Sequence, residues 1–158
     1  MVSALEMIRR DHDGFRELLN RFEEVDPEDH SAKRNIMDEL IAIVVQHSVM
    51  EERAFYPFVR EQLPELDEDL REGIEEHHVL DVIMQELKQL DATDEQFDAK
   101  VEVFAENLLH HIHEEEDELF PNVSRRIASQ RLDELGDDLR AAKEQAPTEP
   151  DPARSAGT

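Results

Sequence analysis

The sequence predicts an all-α fold: an antiparallel up-down-up-down four-helix bundle, with a short C-terminal fifth helix and a disordered tail. Three observations predict it. Breakers are scarce in the body of the chain: the 158 residues include 4 Gly and 7 Pro, and three of the prolines crowd into the last dozen positions. Four long segments carry apolar residues every three to four positions, which places them on one face of a helix. The connections between these segments are short, as antiparallel neighbours require. In support of all three, a residue mix rich in Glu, Leu, Ala, Asp and Arg, with only 5% aromatics, favours helices over strands.

The first segment predicts a helix over about 3–25. Ser3 and Glu6 have the spacing of a capping box. Its stripe is Leu5, Ile8, Phe15, Leu19 and Phe22, and His12 fills the place where an apolar residue is missing. Asp26-Pro27 reads as the start of the second helix, with Asp26 as N-cap and Pro27 at the first helical position. That helix is expected over about 28–62, with the stripe Ile36, Leu40, Val44, His47, Glu51, Phe55 and Phe58 and a kink at Pro57. A third helix is expected over 67–90, on the stripe Leu70, Ile74, His77, Asp81, Met84 and Leu87. The fourth is expected to start at Thr93, with Gln96 completing a capping box and Pro121 kinking its end. Its stripe is Val101, Phe104, Leu108, His111, Glu115 and Leu119. A short fifth helix is expected near 130–143. The bundle domain then covers 1–143, and residues 144–158 read as a disordered tail.

The two halves of the chain resemble each other. Aligning His12 with His77 places Phe22 on Leu87. Aligning His47 with His111 places Glu51 on Glu115, Glu52 on Glu116, Tyr56 on Phe120 and Pro57 on Pro121. The His-to-His separation is 35 residues in the first half and 34 in the second. Each half is thus a helix pair with one His on its first helix and His-x-x-x-Glu on its second.

A step of four residues turns an α-helix by about 400°, so His47 and Glu51 share a face, about 6 Å apart along the axis. His111 and Glu115 do the same. Four helices therefore send four imidazoles and two carboxylates inward. Glu is almost never fully buried unless paired, and an unpaired buried carboxylate is costly. No Lys or Arg sits on these stripes near this level. Metal cations are the simplest compensation, and a carboxylate from each half can bridge two of them. A donor set of nitrogen and oxygen without sulfur suits Fe or Mn, with Zn a lesser fit.

Other histidines compete for these roles. His110 and Glu114 form a rival i, i+4 pair, but the stripe and the distance to Pro121 favour His111 and Glu115. The repeat register favours His77 over His78. His113 and His30 read as surface residues, and Glu52 and Glu116 as solvated. Tyr56, nine residues past His47, falls roughly opposite the ligand face, whereas Phe55 and Leu119 should wall the site. Asp81, one turn after His77, is an additional ligand, an acceptor for an imidazole N–H, or simply a carboxylate at a helix edge.

The formal charge of −24, from 17 basic and 41 acidic residues, repels phosphate backbones and anionic membranes, so no nucleic-acid or membrane partner is expected. The chain contains no cysteine, which excludes thiol catalysis and thiolate metal sites and suits a reducing, cytoplasmic setting. No nucleophile triad, phosphate loop or sugar-cleft carboxylate pair is present.

The text DHD at His12, QHSVMEERAFYP from Gln46, EEHH from Glu75 and HHIHEEEDELFP from His110 resembles the hemerythrin-like, HHE cation-binding family over roughly residues 3–125. The resemblance implies a four-helix bundle around a non-haem di-iron centre with an oxo or hydroxo bridge, held by His12, His47, Glu51, His77, His111 and Glu115. This sequence departs from oxygen-carrying hemerythrins at two places. They have a second His four residues after the third-helix His, where this chain has Asp81. They also have Asp five residues after the fourth-helix His, where this chain has Glu at four. One iron is then oxygen-rich or has an additional open position. Binding of a small ligand (O2, NO or H2O2), peroxide decomposition, and iron buffering or sensing all follow from such a centre. A metal-free interaction bundle is the bland reading of the same helices.

Overall fold

A computed structural model describes residues 2–155. Helix α1 spans Ala4–Glu24, and the Ser3 hydroxyl accepts from the Glu6 N–H at 3.3 Å. Helix α2 covers His30–Met50. Its N-cap is Asp29, whose side chain accepts from the Ala32 N–H, and not Asp26 as the sequence suggested. Asp26 instead closes a turn around Pro27: its side chain accepts from Glu28 N–H and its carbonyl from Asp29 N–H. A π-helical turn over Glu51–Phe55 follows α2 directly, and α3 continues it over Tyr56–Gln62. Pro64–Leu66 forms a 3₁₀ turn into α4, Asp67–Gln89.

Helix α5 covers Phe97–Glu114. The expected Thr93 cap is absent, because Asp94 takes the backbone N–H of Gln96 in a turn and delays the helix to Phe97. A second π-helical turn, Glu115–Leu119, leads into α6, Phe120–Arg126. Helix α7, Ser129–Glu144, packs across α1, α2 and the first π-turn. Its Gly136 permits that approach, since a Cβ there would stand 2.3 Å from the Val2 carbonyl.

Both expected proline kinks take the form of a π-turn just ahead of the proline. A helical proline removes an N–H and presses its ring on the carbonyl four residues back. Widening the preceding turn to i→i+5 relieves that clash. In each case the residue before the proline donates five residues back: Tyr56 N–H to the Glu51 carbonyl, and Phe120 N–H to the Glu115 carbonyl.

The four main helices pair as expected, α1 against α2 and α4 against α5, with α2 also meeting α4. Two apolar clusters fill the interior. One contains Phe15, Leu40, Val44, Met84 and Phe104. The other contains Ile8, Met50, Phe55, Phe120 and Leu139. The buried histidines and glutamates lie between them. No helix of the described residues is long and apolar enough to cross a membrane.

Beyond α7, part of the segment read as a tail packs back on the bundle. Pro150 is buried, and helix α8, Pro152–Ser155, packs along α4. The physical reason is electrostatic. Arg154 reaches the fully buried Asp81 and donates to its Oδ2 at 2.7 Å. Residues 156–158 lie outside the described residues.

Candidate metal centre

Six side chains converge in the polar layer: His12 from α1, His47 from α2, Glu51 from the first π-turn, His77 from α4, His111 from α5 and Glu115 from the second π-turn. Each is at most 4% exposed. Their donor atoms form two groups that share Glu51. In one, His12, His47, Glu51 and Glu115 each offer an atom within 4.8 Å of the others; in the second, Glu51, His77 and His111 do so. The contacts cross between the halves of the chain. His12 Nε2 lies 3.2 Å from Glu115 Oε1, and His77 Nε2 lies 3.1 Å from Glu51 Oε1. Within each half, His47 Nε2 stands 3.2 Å from Glu51 Oε1 and His111 Nε2 3.5 Å from Glu115 Oε1.

Every one of the four imidazoles turns Nε2 inward and gives Nδ1 to an outer carboxylate. The partners are Glu116 for His12 at 2.7 Å, Asp11 for His47 at 2.8 Å, Glu52 for His77 at 2.9 Å and Glu76 for His111 at 2.7 Å. A carboxylate on Nδ1 fixes the tautomer that leaves Nε2 free to bind and raises its basicity. Glu52 and Glu116 therefore depart from the solvated role read from the sequence. These four residues carry a signal that the repeat held: Asp11 and Glu76 immediately precede the aligned His12 and His77, and Glu52 and Glu116 immediately follow the aligned glutamates.

Within this layer the neighbouring carboxylates favour the protonated form of His47, His77 and His111. Burial alone would lower the pKa of His47, but Glu51 and Asp11 overcome it and raise the group to about 10. Burial likewise opposes charge on His77 and His111, and the same carboxylate neighbourhood raises both. Glu51 is pushed up by burial and pulled further down by His47, His111 and His77, ending well below the usual carboxylate range. Protons thus stand in for cations.

The residues fit a metal. His12 Nε2, His47 Nε2, Glu51 Oε2 and Glu115 Oε1 are buried and make no hydrogen bond. Buried polar atoms are nearly always satisfied, so four orphans facing one another are exceptional. His77 Nε2 and His111 Nε2 also point at each other across 3.1 Å. A positive ion in each donor group would give these atoms a partner.

Tyr56 is the main departure from the expected lining. The π-turn stacks it over Glu51 rather than on the opposite face. Its buried hydroxyl donates to Glu115 Oε2 at 2.8 Å, and its ring stacks on His77 with centroids 5.6 Å apart. Burial, Glu115 and Glu51 push its pKa well above the ordinary tyrosine value, so it keeps its proton. Its repeat counterpart Phe120 stacks on His12 without a hydroxyl. Phe55 is buried at the site's edge and Leu119 half-buried. Asp81 belongs to neither donor group. Burial raises its pKa to about 6 against the pull of Arg154. His110 pairs with Glu114 at 2.9 Å on the surface, and His113 with Asp117 at 2.8 Å, both histidines being exposed. His30 and His78 are half-buried and enter neither group.

Comparison with known proteins adds a family and a fold. The family model described as the Hemerythrin HHE cation binding domain matches residues 3–123. No curated protein matches the chain. Among solved structures, a Hemerythrin HHE cation binding domain-containing protein from Mycobacterium kansasii is similar, with a TM-score of 0.77 and 22% identity. The similarity covers 92% of this chain and 87% of that one.

Proposed function

Because this chain belongs to the Hemerythrin HHE cation-binding family, we propose that its buried layer holds two metal ions, iron by preference, and that the pair binds a small ligand such as O2, NO or H2O2. The observation that carries the reading is the set of orphaned atoms on His12, His47, Glu51 and Glu115, beside a second group that reuses Glu51. In this reading His12 and His47 would hold one ion and His77 and His111 the other, with Glu51 and Glu115 supplying carboxylate oxygens to the pair, which an oxo or hydroxo group would complete. When bound, iron supplies the redox chemistry and the open coordination positions.

The protein's own groups set who reaches the pair. Phe55, Phe120 and Phe15 shut out water from the apolar sides. A cleft of about 90 Å³ reaches Tyr56, His111 and Glu115, which suits a ligand of a few atoms and excludes larger substrates. One observation favours a second reading, peroxide decomposition. Tyr56 is a buried hydrogen-bond donor on one half of the site, where the other half has Phe120, so the two ions would stand in different surroundings. A cytoplasmic setting belongs to the same proposal and agrees with the cysteine-free sequence.

Metal analysis of protein purified with and without air, with absorption spectra of both, tests the reading. The expected result is two ions per chain and a visible band that changes with O2 or NO. Less than one ion per chain after reconstitution rejects it. Oxygen release from added H2O2 beyond that of free iron selects the enzyme; its absence leaves the binding protein.

A further inference from the structure

The cleft between α4 and α5 differs in charge from the rest of the polar layer's surround. Elsewhere, Lys or Arg answers three of the carboxylates near the layer: Lys143 Nζ meets Asp11 at 2.6 Å, Arg16 meets Glu116 at 2.8 Å and Arg154 meets Asp81 at 2.7 Å. Along the cleft this compensation stops. Its lining includes the exposed Asp69, Glu72 and Glu118 at the mouth, with Glu76 and Glu114 half-buried below them. Glu76 meets His111 Nδ1 at 2.7 Å and His110 Nε2 at 3.9 Å, with the Glu114 carboxyl beside it and no Lys or Arg among these neighbours. No Lys or Arg lines the cleft.

The cleft also leads somewhere. Its floor is Tyr56, His111 and Glu115, all buried, and Glu115 Oε1 is one of the orphaned oxygens. Its volume of about 90 Å³ exceeds the ~10–15 Å³ that one water needs, so a partly hydrated ion can pass. Gly73 keeps it open toward the floor, since a Cβ there would come within 2.9 Å of the Tyr56 hydroxyl. Partway in, Glu76, His110 and Glu114 each offer an atom within 4.8 Å of one another, a place where an ion can exchange waters for protein oxygens.

We propose that this acidic cleft is the entry path by which divalent cations reach the buried layer. The uncompensated carboxylates concentrate cations at the mouth, and a descending line of oxygens leads them to Glu115. Low-dielectric walls lined by one sign of charge focus the field, and steering of this kind changes association rates by about 10- to 1,000-fold.

The inference rests on the metal-binding reading above, and the test separates the two. Metal-free full-length protein is mixed rapidly with Co²⁺, or with Fe²⁺ under anaerobic conditions, and the rise of metal absorption is timed. The variant Asp69→Asn/Glu72→Gln/Glu118→Gln removes three exposed charges that touch no inner histidine. A control, Glu23→Gln/Glu102→Gln/Glu106→Gln, removes three exposed charges bordering a different groove. Expected for the cleft variant is loading slowed about 10-fold at low ionic strength, with final stoichiometry unchanged and the gap narrowing as salt rises. The control should load within about two-fold of the parent. Equal slowing in both triples, or parental rates in the cleft variant, overturns the entry path while leaving the metal site intact. A parent protein that takes up no buried ion rejects both.

Discussion

His77 and Glu51 come from opposite halves of the repeat, yet His77 Nε2 and Glu51 Oε1 lie 3.1 Å apart. His12 and Glu115 repeat the arrangement at 3.2 Å. The halves are therefore interlocked through their donor atoms. Glu51 serves both groups, which makes it the most exacting position to test.

Glu51→Ala is expected to lose both ions, and His47→Ala one or both, with a lower melting temperature in metal-containing buffer. His30→Ala should match the parent in both respects. Metal quantification and thermal denaturation decide; equal metal content in all three variants rejects the assignment.

The outer carboxylates act through the imidazoles they orient. Glu52→Gln should weaken metal affinity by about 10- to 100-fold without emptying the site at saturating metal. Competition against a chelator of known affinity measures it. An unchanged affinity means that Glu52 does not position His77.

Tyr56→Phe removes the hydroxyl that donates to Glu115 Oε2 at 2.8 Å. Leaving that buried oxygen without its donor should cost about 1–3 kcal/mol in the metal-free protein. Denaturant titration reads the loss. The spectrum of the metal-loaded variant should also shift, because the hydrogen bond to Glu115 Oε2 is gone.

Metal-free protein should lose stability as pH rises from neutrality. His47 moves from 6.5 to about 10 on folding, so its contribution is fully present below about 6.5 and is lost as pH climbs through 10. His77 and His111 shift in the same direction. Glu51, shifted downward, contributes above its ordinary value of 4.5 and loses that contribution as pH falls through its lowered pKa. Metal competes with these protons, so metal affinity should rise over the same alkaline range. Melting curves of stripped and loaded protein should diverge with rising pH; parallel curves contradict the protonated-cluster description.

The Arg154–Asp81 pair should be measurable by a double-mutant cycle. Removing Arg154 strands a buried carboxylate, and Arg154→Ala should cost about 1–3 kcal/mol. In an Asp81→Asn background the same change should cost much less. Equal costs in both backgrounds mean that the pair contributes nothing.

Much of this molecule is legible in the chain itself. The four stripes, the His and Glu that interrupt them and the register of the repeat are all local facts, set by the 3.6-residue period and the preference of apolar side chains for the interior. They place Glu51, Glu115 and the four histidines on inward faces before any tertiary contact is known. The choice of His111 over His110 follows from the same stripe, and in the structure His110 stands exposed. The carboxylates at Asp11, Glu52, Glu76 and Glu116 were encoded as well, as neighbours of the aligned residues, although Glu52 and Glu116 read as solvated.

Three features came only from the tertiary structure. Which histidine meets which glutamate depends on how far one hairpin is shifted along the other, and no single helix carries that information. Tyr56 faces the site because each proline widens the turn before it to i→i+5, rotating everything beyond by an amount that an ideal helical wheel omits. Arg154 docks on Asp81 across 73 positions of sequence, a pairing set by a buried carboxylate in need of a partner rather than by any pattern in the tail. Periodicity fixes the face that a residue shares with its own helix, whereas the partner across the gap is fixed only when the helices pack.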